Sequence, residues 1–117
     1  MTLEELCAAI LAFPEAVEDQ PFGPGVLVYK VRGKMFALVA PESPPAVSLK
    51  CNPVLATLLR DTYPAVTAGY HLNKQHWNTV VVDGSVPAAE LLEWIDHSYD
   101  LVVKGLPKRD LQALGRA

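Results

Sequence analysis

The densest group of chemically versatile side chains lies in residues 69–78, which combine histidines, amides, a lysine and aromatic rings. Its members are Tyr70, His71, Asn73, Lys74, Gln75, His76, Trp77 and Asn78. Aromatic rings can stack on nucleobases, while amides and a lysine can reach phosphates. The same side chains would also suit a protein contact, or a loop that folds back around a buried Trp. The residues alone leave these alternatives open.

Histidine and cysteine could also serve nucleophilic catalysis or bind a metal. Cys51 precedes a predicted helix start, where backbone N–H groups favour a thiolate, and His71 or His76 would be its base. Nothing in the sequence brings these side chains together, and no GxSxG or phosphate-binding glycine motif is present. The two histidines lack a neighbouring acid, and Cys7 and Cys51 lack zinc-site spacing. We therefore expect no catalytic residue, metal or cofactor, and a binding domain rather than an enzyme.

The basic residues are concentrated in the middle of the chain. Residues 30–82 hold six Lys or Arg and two acids, residues 1–29 hold five acids and no base, and the net charge is −3. This charge argues against a surface that binds nucleic acid all over, yet the basic middle allows a local patch. The candidate contact residues are Lys30, Arg32, Lys34, Lys50, His71, Asn73, Lys74, His76 and Trp77. The alternative is that these are ordinary solvated strand and loop positions.

The length and composition predict one globular domain over residues 1–117. Half of the 117 residues are hydrophobic and 20% are charged, as is usual for a soluble domain. No apolar run approaches the roughly 18 residues of a membrane span. The N-terminus becomes acidic at once, unlike a signal peptide. We expect a cytoplasmic protein with no membrane partner and with two small, buried, reduced cysteines.

The first half of the chain predicts one helix and three strands. Thr2 and Glu5 form a capping box, and the helix that follows has an apolar face of Leu3, Leu6, Cys7, Ile10 and Leu11. Residues 14–25 are a loop with room for a short strand near 16–19. Strands are predicted over 26–32, 35–39 and 46–50, with a tight turn at Gly33 and Lys34 between the first two.

The second half predicts two helices and two strands. Asn52 and Pro53 start a helix whose buried face is Leu55, Leu58 and Leu59. Strands follow over 66–72 and 78–82. A long helix runs from about residue 87 to 104, with a buried side of Leu91, Leu92, Ile95, Tyr99, Val102, Val103 and Leu106. Residues 108–117 add one helical turn and are expected to be mobile at the end. The order α-β(3)-α-β(2)-α predicts a two-layer α+β fold: an antiparallel sheet with helices on one face and a wet opposite face.

Four segments carry a resemblance to a known family. They are Gly33-Lys34-x-Phe36-Ala37, Ser48-Leu49-Lys50, Tyr70-His71-Leu72-Asn73-Lys74-x-His76-Trp77-x-Thr79-Val80 and Ser98-Tyr99-x-x-Val102. The chain resembles the MmcQ/YjbR family over nearly its whole length. The resemblance implies a fold similar to type III secretion chaperones in the same element order. It also implies DNA binding, through a "double wing" arrangement, and no catalytic residues. Lys34, Lys50, Asn73, Lys74, Trp77, Ser98 and Tyr99 match motif positions whose roles stay open.

Three functions follow as hypotheses. The first is nucleic-acid binding through the basic strands and loop, against which the sequence pI near 5.5 weighs. The second is a protein-interaction or chaperone-like module that binds a partner or a second copy through an exposed sheet face or edge. The third is a small-molecule or enzymatic site between the 71–77 loop and Lys50.

Overall fold

Local capping signals start the first two helices of the computed structural model, which describes residues 1–69 and 72–115. In α1 (Leu3–Leu11), the Thr2 hydroxyl accepts the Glu5 N–H at 3.1 Å, and the Glu5 carboxylate accepts the Thr2 N–H at 2.9 Å. In α2 (Pro53–Thr62), the Asn52 side-chain oxygen accepts the Val54 N–H at 2.9 Å. Both helices therefore begin where the capping residues predict.

The described strands form one antiparallel sheet in the order β1-β2-β3-β4-β6-β5. They are β1 (Val17–Asp19), β2 (Leu27–Val31), β3 (Lys34–Ala40), β4 (Ala46–Lys50), β5 (Val66–Ala68) and β6 (Trp77–Val81). The described sheet has one strand more than the five predicted. This additional strand is β1, which lies in the segment 14–25 that was predicted as a loop with room for a short strand. The Tyr29 hydroxyl donates to the Glu18 carboxylate at 2.6 Å, and Lys30 pairs with Asp19 at 3.3 Å. These cross-strand contacts hold β1 against β2.

The turn between β2 and β3 lies one residue earlier than predicted. Val31 pairs with Lys34, so Arg32 and Gly33 are the two central residues of the turn. Their φ values are +50° and +79°, as a type I′ hairpin turn requires. The prediction of Gly33 and Lys34 was wrong in register, and Lys34 is the first residue of β3.

The helices pack on one face of the sheet. The long helix α3 (Ala88–Lys104) lies against β2, β3 and β4, while α2 lies against β5 and β6. A short α4 (Lys108–Ala113) follows. The core between the layers contains Leu6, Ile10, Tyr29, Phe36, Val39, Val47, Val80, Ile95, Tyr99 and Val103. The two-layer α+β fold is confirmed. Within the described ranges, no helix is long and apolar enough to cross a membrane.

Three leucines predicted to be buried are exposed, namely Leu11, Leu58 and Leu92. Each lies at the margin of its helical apolar stripe, and the sheet covers only the centre of that stripe. In α2 the buried residues are Ala56 and Leu59. Cys51 is buried as predicted, but Cys7 is only half-buried. The strand predicted over residues 66–72 ends at Ala68.

The opposite face of the sheet carries no described helix and is not uniformly polar. A cross-strand row on this face runs Val28, Leu38, Ser48, Thr79 and Thr67, because directly paired residues point to the same side. The Ser48 and Thr79 hydroxyls lie 2.8 Å apart within that row. We call this side the open face.

Candidate functional site: the basic end of the sheet

Antiparallel topology brings most of the candidate residues to one end of the sheet. The β2–β3 turn, the last residue of β4 and the β5–β6 connection all lie at this end, because neighbouring strands run in opposite directions. Lys50 pairs directly with Trp77 across β4 and β6. We call this region the basic end and define it by Arg32, Lys34, Lys50 and Lys74, with Lys30 one step further into β2.

Carboxylates neutralise two of these five cations. Lys30 pairs with Asp19, and Arg32 pairs with Glu15 at 3.1 Å and with Asp110 at 3.9 Å. Within residues 1–69 and 72–115, no carboxylate pairs with the other three, Lys34, Lys50 and Lys74. Lys34 and Lys74 are exposed and Lys50 is half-buried. The positive charge available to an outside partner is therefore that of these three lysines.

The loop before β6 is held by its own hydrogen bonds. The Asn73 side chain accepts the Gln75 N–H at 2.9 Å, and the Lys74 ammonium donates to the Gly69 carbonyl at 3.3 Å. The His76 carbonyl accepts the Cys51 N–H at 2.7 Å. These contacts place Asn73 and Lys74 on the surface in a fixed turn. His71 lies outside the described residues.

Trp77 is buried, with the chain at Gly69 lying directly against it. A Cβ atom added to Gly69 would lie 2.7 Å from the Trp77 Cβ, and the Gly69 N–H donates to the Trp77 carbonyl at 2.8 Å. The relative exposure of Trp77 is 9%. Trp77 therefore acts as an anchor of the loop, and its ring offers little surface on which a base could stack.

Arg60 clamps this loop from α2, although sequence reasoning counted it only as one of the central basic residues. Its Nε donates to the Asn78 side-chain oxygen at 2.7 Å, and its Nη2 donates to the Lys74 and Trp77 carbonyls. The Asn78 amide donates in turn to the Ala56 carbonyl at 3.3 Å. The planar guanidinium suits such forked donation. In the sequence, the position of Arg60 near the end of α2 was the only sign of this role.

Two motif residues of α3 are structural. Ser98 is fully buried, and its hydroxyl donates to the Phe36 carbonyl at 2.6 Å while accepting the Lys50 N–H at 2.9 Å. The Tyr99 hydroxyl donates to the Pro14 carbonyl at 2.7 Å. The Tyr99 ring packs between those of Phe13 and Phe36, with centroid distances of 4.9 and 5.2 Å. Ser98 thus fixes the backbone at the base of the basic end.

The contacts around Cys51 do not favour nucleophilic chemistry. Burial raises the pKa of the Cys51 thiol, with the charge of Arg60 acting in the opposite direction, so the reactive thiolate is disfavoured. The cavity beside Cys51 and Lys50 has a volume of about 10 Å³, room for about one water molecule. In the described ranges, no three His, Cys, Asp or Glu side chains group as metal ligands would.

The fold and site define a small two-layer α+β domain with a cationic sheet end, and its relatives share that scaffold. A family model described as YjbR matches residues 11–101. The uncharacterized protein YjbR of Escherichia coli strain K12 is 39% identical over 115 residues, covering 97% of this chain and 98% of that protein. The uncharacterized protein YbdF of Escherichia coli O157:H7 is 41% identical over 91 residues, covering 77% and 75%.

A solved structure extends the similarity to three dimensions. The crystal structure of Deinococcus radiodurans protein DR2400, which carries a DUF419 domain, superposes with a TM-score of 0.92 at 38% identity. The match covers 99% of this chain and 89% of that one. The chain therefore belongs to the YjbR family, and the resemblance seen in its motifs is confirmed.

Proposed function

We propose that this chain is a small binding module that contacts DNA through the basic end of its sheet. The observation that carries the proposal is the placement of Lys34, Lys50 and Lys74 at one end of the sheet with no described carboxylate partner. Ammonium groups in such an arrangement can neutralise neighbouring phosphates. Lys34 begins β3 directly after the β2–β3 turn, and Lys74 lies in the β5–β6 connection.

In this proposal, contacts in and around the loop before β6 position the lysines. Arg60 and Ser98 hold the backbone around Lys74 and Lys50, so the two lysines start from a defined geometry. A preorganised contact surface loses less entropy on binding. We expect Lys30 and Arg32 to contribute less to DNA binding, because both are already ion-paired. We also expect binding without strong sequence preference, because phosphate contacts carry no direct base readout.

Fluorescence anisotropy with a labelled mixed-sequence duplex at low salt tests the proposal. The double variant Lys34→Gln/Lys74→Gln should bind several-fold more weakly than the native chain, because two phosphate contacts are removed. The matched control is Lys108→Gln/Arg109→Gln, which removes the same charge from two exposed α4 positions that likewise have no described carboxylate partner. Equal losses in both variants would indicate a nonspecific charge effect and contradict a site at the basic end.

A protein-interaction module is the second candidate, and edge strand β1 favours it. All three β1 residues are exposed, and Val17 is 54% exposed. Such an edge can template strand addition by a partner or a second copy. Sedimentation of the native chain and of Val17→Pro tests this: a dimer that the proline abolishes supports edge pairing, and a monomer in both excludes self-association through β1.

A further inference from the structure

A broad cleft lies on the open face, away from the helices. Its volume is about 750 Å³, within the range of small-molecule sites. The floor contains Ala46 and Ser48 beside Leu38, and the walls include Phe22 and Leu72. These walls come from the β1–β2 and β5–β6 connections, at opposite edges of the sheet.

Side-chain size explains why the sheet is hollow here. Ala40 and Ala46 are directly paired across β3 and β4 on the open face, and neither reaches far above the backbone. Met35 and Leu38 are taller and stand on the same strand as Ala40. Phe22 is 72% exposed, an unusual position for a ring with so much apolar area. An occupant would remove this apolar surface from water.

The charge around the cleft selects among occupants. Glu42 is the one ionisable residue among the described lining residues, and no described cation pairs with its carboxylate. It lies in the β3–β4 connection, at the end of the sheet opposite the basic end. An amine at one end of an apolar ligand would complement this carboxylate, whereas an anionic group would be repelled.

We propose that the open-face cleft binds a small apolar molecule carrying an amine, with its apolar body over Leu38 and Ala46 and its amine near Glu42. Walls on both edges and the limited volume fit a compact ligand better than an extended peptide. None of the lysines proposed to contact DNA lines the cleft, so either proposal can fail without the other.

A matched ligand series tests the proposal by amide chemical-shift titration. The probes are 4-phenylbutylamine, 4-phenylbutanol and 4-phenylbutyrate, which share one apolar body and differ in charge. We expect saturable shifts at Leu38, Ser48 and Thr79, and tighter binding of the amine than of the carboxylate. Glu42→Gln should weaken amine binding by up to about fivefold, the size of an exposed ion pair, and leave the alcohol unchanged.

A filling variant checks the location. Ala46→Phe should reduce binding of all three probes, because the new ring occupies the floor, whereas Leu92→Phe adds the same ring to an exposed α3 position and should change nothing. Absence of saturable shifts on the open face would overturn the proposal, as would carboxylate binding equal to that of the amine. Binding of an apolar peptide but of none of the three probes would also overturn it and assign the cleft to a protein partner.

Discussion

Replacing Ser98 with alanine tests whether the Ser98 hydroxyl holds the ends of β3 and β4 together behind the basic end. Its hydroxyl bridges the Phe36 carbonyl at 2.6 Å and the Lys50 N–H at 2.9 Å. These backbone groups lie one residue beyond Ala37 and Leu49, the last described pair at this end of β3 and β4. The hydroxyl therefore stands where the ladder would otherwise continue with a direct backbone bond.

The expected loss of stability follows from the two groups left behind. Each hydrogen bond contributes about 1 kcal/mol net, and a buried group left unpaired costs about 1–3 kcal/mol. Phe36 is fully buried, whereas Lys50 is half-buried and its N–H can recruit water. We therefore expect Ser98→Ala to lower the free energy of unfolding by about 2–3 kcal/mol, a large share of the roughly 5–15 kcal/mol of a typical domain.

Urea denaturation followed by circular dichroism measures this loss directly. The matched control is Ser85→Ala, which removes a serine hydroxyl bound to the exposed Asp83 carboxylate at 2.6 Å and should cost below about 1 kcal/mol. If Ser98→Ala loses no more stability than Ser85→Ala, the bridge does not stabilise the strand ends and the assignment of Ser98 is wrong.

Three further predictions concern the neighbouring loop and thiol. Gly69→Ala should destabilise the protein by about 1–3 kcal/mol in urea denaturation, since its Cβ would lie 2.7 Å from the Trp77 Cβ. Arg60→Met should speed amide hydrogen exchange at Gln75 and leave exchange in β2 unchanged, because its bond to the Lys74 carbonyl is lost. Burial raises the pKa of the Cys51 thiol, so iodoacetamide at pH 8 should label it in urea far faster than in the native state.

Each of these has an outcome that would contradict it. Unchanged stability of Gly69→Ala would mean that the loop can move away from Trp77. Faster exchange throughout β2 in Arg60→Met would indicate general destabilisation and no local clamp. Native-state labelling of Cys51 at the rate of the unfolded chain would show that burial does not protect the thiol.

Local signals predicted the elements well because each depends on neighbouring residues. The alternation of Val47 and Leu49 with Ser48 and Lys50 predicted β4 to its boundaries. The strand predicted over residues 78–82 differs by one residue at each end from β6 (Trp77–Val81), which lies between β4 and β5. The turn was predicted one residue too late because Arg32 adopts a positive φ. Residues other than glycine seldom adopt a positive φ, and Gly33 alone does not indicate that its neighbour does.

The site depended on contacts between distant residues and was harder to predict. Arg60 reaches Lys74 and Asn78 only after α2 has packed against β5 and β6. The cleft depends on Ala40 and Ala46 being paired across two strands, which no local pattern shows. The sequence offered Lys30 and Arg32 as candidate contact residues, but it did not show that both meet carboxylates.

The salt dependence of DNA affinity tests the central proposal most directly. Three phosphate contacts, one for each unpaired lysine, correspond to a slope of about −2.7 for log K against log[salt], or about a 40-fold loss between 50 and 200 mM. The proposal predicts that slope for the native chain and a slope near −0.9 for Lys34→Gln/Lys74→Gln. No detectable binding at low salt, or the same slope in both proteins, would contradict it.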